Sequence, residues 1–127
     1  NTIMTSDALP AGYTSLASSV YSATYPAWKA FDGSNVAQAN SWITVSGTTT
    51  GWLKLGIPVA KAYKSYTITA EVLNPTCNPN TWTIEGSNTG AFTGEETVID
   101  TVTGETGWSA ARHQGFARSR SLDDYRS

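Results

Sequence analysis

Two short stretches hold most of the side chains that could do chemistry. In "YPAWKAFDGSNVAQANSW", residues 25–42, Asp32 sits in an Asp-Gly turn between Trp28 and Trp42. An acid locked between aromatic anchors suits a catalytic site, a metal site or a well-stapled corner. In "GWSAARHQ", residues 107–114, Trp108, Arg112 and His113 fall close together, and His113 is the sole histidine. An aromatic face beside a few placed polar groups is the common make-up of a small-ligand site. "QANSW" offers Gln38 and Asn40 at a further loop tip.

Bond-breaking chemistry finds little to work with. The chain holds no GxSxG elbow, no HExxH pair and no phosphate loop. A glycosidase needs two carboxylates about 5–10 Å apart across a cleft. Glu95 and Glu96 are adjacent, so they point to opposite faces of a strand or stay solvated in a loop. One histidine without a matched acid and nucleophile makes no triad. Cys77, the only cysteine, lies in the loop composition "LNPTCNPN" and reads as a free or buried structural thiol. A single cysteine rules out an internal disulfide and a Cys-based zinc cage. The expectation is a chain that is not an enzyme.

Charge narrows the partners. Charged residues make up 14% of the 127, against roughly 25% in an ordinary soluble domain. The net charge is −2. Glu71, Glu85, Glu95, Glu96, Asp100 and Glu105 run through the middle with no basic residue among them, and Arg112, Arg118, Arg120 and Arg126 crowd the end. A nucleic-acid binder needs a clustered basic face to exchange for counterions, so none is expected; the terminal arginines read as solvated edge charges. No stretch approaches the ~18 apolar residues of a membrane helix. The loops are Thr, Gly and Asn rather than apolar spikes ringed by basic residues, so no membrane insertion is expected either.

The elements that must position these residues are short strands. Tyr66, Ile68, Ala70 and Val72 alternate with Thr67, Thr69 and Glu71 in "SYTITAEV". "GWLKLGI" sets Leu53, Leu55 and Ile57 on one face and Trp52 and Lys54 on the other, and "TWTIEGS" sets Trp82 and Ile84 against Thr83 and Glu85. This period of two is the mark of half-buried strands. "TSLASSVYS", "ETVIDTV", "HQGFARS" and "DYRS" are weaker strand candidates, and Gly-, Asn- and Thr-rich turns separate them all. Five Trp and six Tyr supply bulk suited to a pleated surface. The one helical candidate is a single turn around Pro26–Phe31. The pattern predicts one all-β domain over residues 1–127, an antiparallel sandwich or barrel.

The ordered series "AWKAFDGS", "SWITVSGTTTGWLKLGI", "YKSYTITAE", "NPNTWTIEGSNTG", "GW", "GFARS" and "YRS" resembles the discoidin-like domains, also called coagulation-factor type C or galactose-binding-like domains. It is most similar to the versions in phage tail proteins and in bacterial carbohydrate-binding modules. The resemblance covers nearly the whole chain. It implies an eight-stranded antiparallel jelly roll, with Trp52, Trp82, Tyr66 and Ile68 in its core. Family members continue for about another strand beyond "YR". The resemblance therefore implies that this last strand is truncated here or comes from elsewhere, and the opening "NTIM" fits a processed product or a piece of a longer protein.

For function, the resemblance implies a calcium site at the "AFDG" turn: Asp32 giving a carboxylate, Lys29 or Ala30 a carbonyl, and Asn35, Asn40 or Ser41 further oxygens. Against it stands the plainer use of Asp32 as the acceptor of an Asx turn. The resemblance also implies a sugar site in which Trp108 stacks on a pyranose while Arg112, His113, Asn40 and Gln38 bond its hydroxyls. Trp108 follows "TGETG" in a turn, so a loop Trp folded over the edge of the core is the other reading. The expected protein is a carbohydrate-recognition module of a phage tail or receptor-binding protein, on a virion or cell surface. Its partners would be a cell-surface glycan and the other subunits of a multimeric assembly. The alternative is a structural docking domain with no small ligand.

Overall fold

The computed structural model describes residues 3–34, 38–61, 63, 65–70, 74, 77–106 and 108, and the backbone of 117–121. It is built of strands, and the helical elements among the described residues are two short 3-10 turns, Ala27–Phe31 and Gln38–Asn40. None is long and apolar enough to cross a membrane. Two compact units divide the chain, Asn1–Val59 and Ala60–Ser127. Their strands are β1 (Thr14–Ala17), β2 (Leu53–Gly56), β3 (Ser65–Thr69), β4 (Trp82–Gly86), β5 (Thr97–Val102) and β6 (Ala117–Ser121), joined as the antiparallel pairs β1–β2, β3–β6 and β4–β5.

In the first unit β1 and β2 run in register from Thr14 opposite Gly56 to Ala17 opposite Leu53. The pairing then passes to side chains. Ser18 donates its amide to the Trp52 carbonyl at 3.0 Å, and its hydroxyl accepts the Trp52 amide at 3.0 Å. Ser19 accepts the Val45 amide on its hydroxyl at 3.1 Å and the Trp42 indole N–H on its carbonyl at 3.0 Å. Serines can take over in this way because their hydroxyls mimic the missing ladder groups.

The inward face of this ribbon carries Ser15, which is 7% exposed, in a unit whose buried core also includes Met4 at 1% and Ala27 at 4%. Asp7 joins the pieces. Its Oδ1 accepts the Ser15 hydroxyl and, at 3.0 Å, the amide of Trp28 in the first 3-10 turn; its carbonyl accepts the Ser15 amide at 3.0 Å. Pro26, at the head of that turn, provides no side-chain cap. Asp7 caps it instead from 21 positions upstream. Met4 closes the corner by donating its amide to the Phe31 carbonyl at 2.9 Å.

Gly12 and Gly33 are required here. Gly12 has φ +86°, and a Cβ there would lie 2.8 Å from the Pro58 ring; Gly33, at φ +73°, makes the Asp-Gly turn against the Ile3 side chain. Both conformations disfavour any residue with a Cβ.

One expectation needs correcting. Trp52, placed in the core by the family resemblance, is 51% exposed. It stands just before β2 on the same face as Lys54, whose ammonium lies 5.9 Å from its ring centroid. Leu16, opposite Lys54 in register, is 54% exposed on that face. Alternation alone had set Trp52 and Lys54 against Leu53 and Leu55, and strand geometry prevails over the analogy.

In the second unit β4 and β5 pair from Trp82 opposite Val102 to Gly86 opposite Thr97, with a register shift between Ile84 and Glu85. Trp82 and Ile84 are half-buried while Thr83 and Glu85 are exposed, as their alternation predicts. β3 shows the same pattern, with Tyr66 and Ile68 inward and Ala70 buried just beyond. Arg118 and Arg120 occupy β6 register positions opposite Ile68 and Tyr66. "DYRS" lies outside the described residues.

Asp7→Ala is expected to lower unfolding stability by about 1–2 kcal/mol, because a capping acceptor and a partner of the buried Ser15 are lost together. Asp32→Ala, which removes one turn hydrogen bond, should cost less. Urea titration of both variants checks the order; equal losses would contradict the role given to Asp7.

Candidate functional site

The second unit gathers aromatic side chains around one hydroxyl. Asp100 lies on β5 opposite Ile84, which puts it on the same inward face as Trp82. A carboxylate on a half-buried apolar face must find donors. Tyr66 of β3 supplies one: its O–H donates to Asp100 Oδ2 at 2.6 Å. The Tyr66 phenolic oxygen in turn accepts the Trp82 indole N–H at 3.1 Å. An indole N–H can only donate, so the order of protons is fixed, from indole to phenol to carboxylate. The Thr101 amide holds the other carboxylate oxygen, Oδ1, at 3.0 Å. Bonds ending on a carboxylate are shorter and stronger than neutral ones.

Trp108 stands against this assembly. Its ring centroid is 6.2 Å from that of Trp82, with the planes inclined by 42°. That separation and tilt suit the attraction between ring quadrupoles. Its indole N–H donates to the Pro79 carbonyl at 2.8 Å. Beside it, Asn80 and Glu105 clamp the two loop ends, with the Glu105 amide on the Asn80 carbonyl at 2.7 Å and the Asn80 side-chain amide on the Glu105 carbonyl at 3.1 Å. Trp108 is half-buried and oriented at both ring and nitrogen. The result is a paired-indole platform with one member on a strand and one on a loop.

Of the residues expected at a sugar site, Trp108 is thus placed, while Arg112 and His113 lie outside the described residues. Gln38 and Asn40 belong to the first unit, in the second 3-10 turn, where the Gln38 carbonyl accepts the Ser41 amide at 3.0 Å. Trp82, Tyr66 and Asp100 were absent from the expected site. An acid in the middle of "ETVIDTV" was the available signal, since a carboxylate two positions before a buried valine, Val102, needs a donor.

At the Asp-Gly corner, Asp32 Oδ1 accepts the Ser34 amide at 2.8 Å, an Asx turn. Ala30 lies in the preceding 3-10 turn, and Asn35 is outside the described residues. Calcium takes six to eight oxygens, several of them usually carboxylate. Among the described residues no three His, Cys, Asp or Glu side chains gather as a metal group. Asp32, Ala30, Asn40 and Ser41 bring one carboxylate, so these described donors do not by themselves fit a calcium ion. The two tryptophans of this stretch are anchors: Trp28 through its amide on Asp7 and Trp42 through its indole on Ser19.

Glu95 is exposed in a loop, as expected, and it also organises that loop. Its Oε1 accepts the Ser87 hydroxyl, the Thr89 hydroxyl at 2.5 Å and the Phe92 amide at 3.1 Å. Phe92 takes the left-handed conformation at φ 53° there. The Ser87 hydroxyl first, and the Thr89 hydroxyl next, hold the Glu95 carboxyl below its ordinary value; partial loss of water opposes them, and the Phe92 and Ala91 amides assist. Cys77 is an exposed free thiol.

Comparison with family models, curated proteins and solved structures finds no match for this chain.

Because folding lowers the Glu95 pKa, its contribution to the loop is complete above the unfolded value and fades as pH falls through the folded one. The protection of the Phe92 amide, its exchange relative to the unstructured rate at the same pH, should therefore fall on acidification below the ordinary glutamate range. In Glu95→Gln that protection should be low throughout and without the step. An acid-insensitive Phe92 amide in the unmodified protein would contradict the assignment.

Proposed function

We propose that this chain is a non-catalytic carbohydrate-recognition module. The single observation that carries the reading is the Trp82–Trp108 pair, half-buried and oriented through both indole nitrogens. An aromatic surface held in place before ligand arrives avoids the cost of ordering it on binding. A pyranose presents a face of C–H groups that such a surface can cover, and Arg112 and His113 follow Trp108 closely enough in sequence to bond sugar hydroxyls.

The resemblance to discoidin-like domains supports the same reading and extends it to an eight-stranded jelly roll that includes the strand pairs described above. A place on a phage tail, virion or cell surface follows from that likeness. One shallow site of this kind binds weakly, so copies in a multimeric assembly would raise the effective affinity. Calcium at the Asp32 corner rests on the likeness alone, with Asn35, Asn40 or Ser41 beside Asp32, and would need further oxygens from outside this corner. The absence from the sequence of nucleophile, metal and phosphate motifs supports recognition without catalysis.

The second reading, a docking domain without a small ligand, draws on the outer face of β1–β2, where Leu16 and Trp52 are 54% and 51% exposed. Large apolar side chains side by side on a surface favour a protein partner.

A glycan array probed with the multimerised protein separates the two, using the unmodified chain and Trp108→Ala, each with calcium and with chelator. The expected outcome is binding that Trp108→Ala abolishes. Loss with chelator alone moves the site to the Asp32 corner. A folded, multimerised protein that binds no saccharide would sink the carbohydrate reading in favour of docking.

A further inference from the structure

We infer that Tyr66 is a positioning residue for the Trp82–Trp108 platform: its hydroxyl sets the angle at which the two indoles meet. The inference deepens the carbohydrate reading and rests on it for its functional half. Three strands converge on this oxygen, β3 bearing it, β5 accepting from it through Asp100 at 2.6 Å, and β4 donating to it through Trp82 at 3.1 Å. Neither neighbour can exchange roles. The indole has no acceptor, so the phenol proton is committed to the carboxylate and the phenol lone pair to the indole.

The chain of donors therefore has one direction, and a hydrogen bond onto a carboxylate at its end polarises the bond behind it. Asp100 itself is pinned through Oδ1 by the Thr101 amide, so the anchor does not swing with the ring. Trp82 has two torsions to settle. Burial of one face limits them, and the N–H bond to Tyr66 selects among what burial leaves. Trp108 then takes its tilt of 42° from the ring it leans on and from the Pro79 carbonyl that holds its own nitrogen. Tyr66 acts on the pair through Trp82, whose indole N–H it accepts.

Two indoles this close and mutually inclined couple electronically, and far-ultraviolet circular dichroism reads their relative orientation as an exciton couplet. Trp108→Phe identifies the couplet by removing it. Tyr66→Phe keeps the ring and deletes the oxygen; the couplet is expected to shrink or change sign, and binding to the saccharides of a printed glycan array to weaken roughly tenfold, the effect of losing hydrogen bonds in a chain that ends on a charge. Ile99→Val, one residue before Asp100 and packed against Gly86 on the neighbouring strand, lowers stability without deleting a hydrogen bond of the chain, and should leave both readouts unchanged. A merely structural Tyr66 would make the two variants alike.

Should Tyr66→Phe fail to fold, Asp100→Asn decides: the weakened bond to Tyr66 should reduce the couplet, and an intact couplet overturns the inference. Retention of both couplet and array binding in folded Tyr66→Phe also overturns it. If the unmodified protein binds no saccharide, the carbohydrate reading fails, while the couplet in Tyr66→Phe still decides whether the hydroxyl positions the indoles.

Discussion

A two-stranded antiparallel ribbon satisfies only half of its backbone groups by pairing, and it leaves one face without a sheet to lie on. Each unit of this chain is built on ribbons of four to six residues per strand, so side chains must do what longer ladders do elsewhere. In the first unit one carboxylate oxygen of Asp7 holds β1 and the 3-10 turn together through Ser15 and Trp28. In the second, one phenolic oxygen of Tyr66 holds the β3–β6 and β4–β5 ribbons together through Asp100 and Trp82. The two devices share a logic: a single acceptor atom, reached from distant parts of the sequence, replaces several ladder bonds.

This arrangement explains an otherwise odd composition. With 14% charged residues, carboxylates are few, and Asp7, Asp32, Glu85, Glu95, Glu96 and Asp100 all accept hydrogen bonds from amides or hydroxyls of the chain itself. Serine and threonine serve as the complementary donors and acceptors. A charged surface would leave fewer short hydroxyls to cross from strand to loop, as Ser18 and Ser19 do. The aromatic residues are bound in the same economy, since the indole nitrogens of Trp42, Trp82 and Trp108 each meet an oxygen.

Much of the local structure was legible because period-two alternation is a direct imprint of the pleat. Trp82–Gly86 reads to within a residue at each end; Ser65–Thr69 begins where the alternation of "SYTITAEV" begins, while Glu71 and Val72 lie outside the described residues; and the short helical turn at Ala27–Phe31 fell where the apolar cluster predicted it. Trp52 was misplaced only where analogy replaced alternation. Asp7 escaped notice because nothing local marks it: its partners are 8 and 21 residues away, and a cap delivered from such a distance leaves no pattern in the window. For the candidate site, Trp108 stood out by exclusion, as the Trp that no strand explained. Tyr66 and Asp100 did not, because each looked like an ordinary strand residue until pairing placed three strands around one oxygen. Contacts of that kind depend on tertiary geometry, which a single sequence encodes only through its sum.

The loop between β4 and β5 differs from both ties in being closed on itself. The donors to the Glu95 carboxylate, Ser87, Thr89, Phe92 and Ala91, all lie within the connection. Its conformation is thus a property of a short peptide rather than of the fold that carries it. Such a turn is a portable part: it can ride on a sheet whose core is redrawn, and its own outward residues can vary freely provided the glutamate and its hydroxyl partners stay.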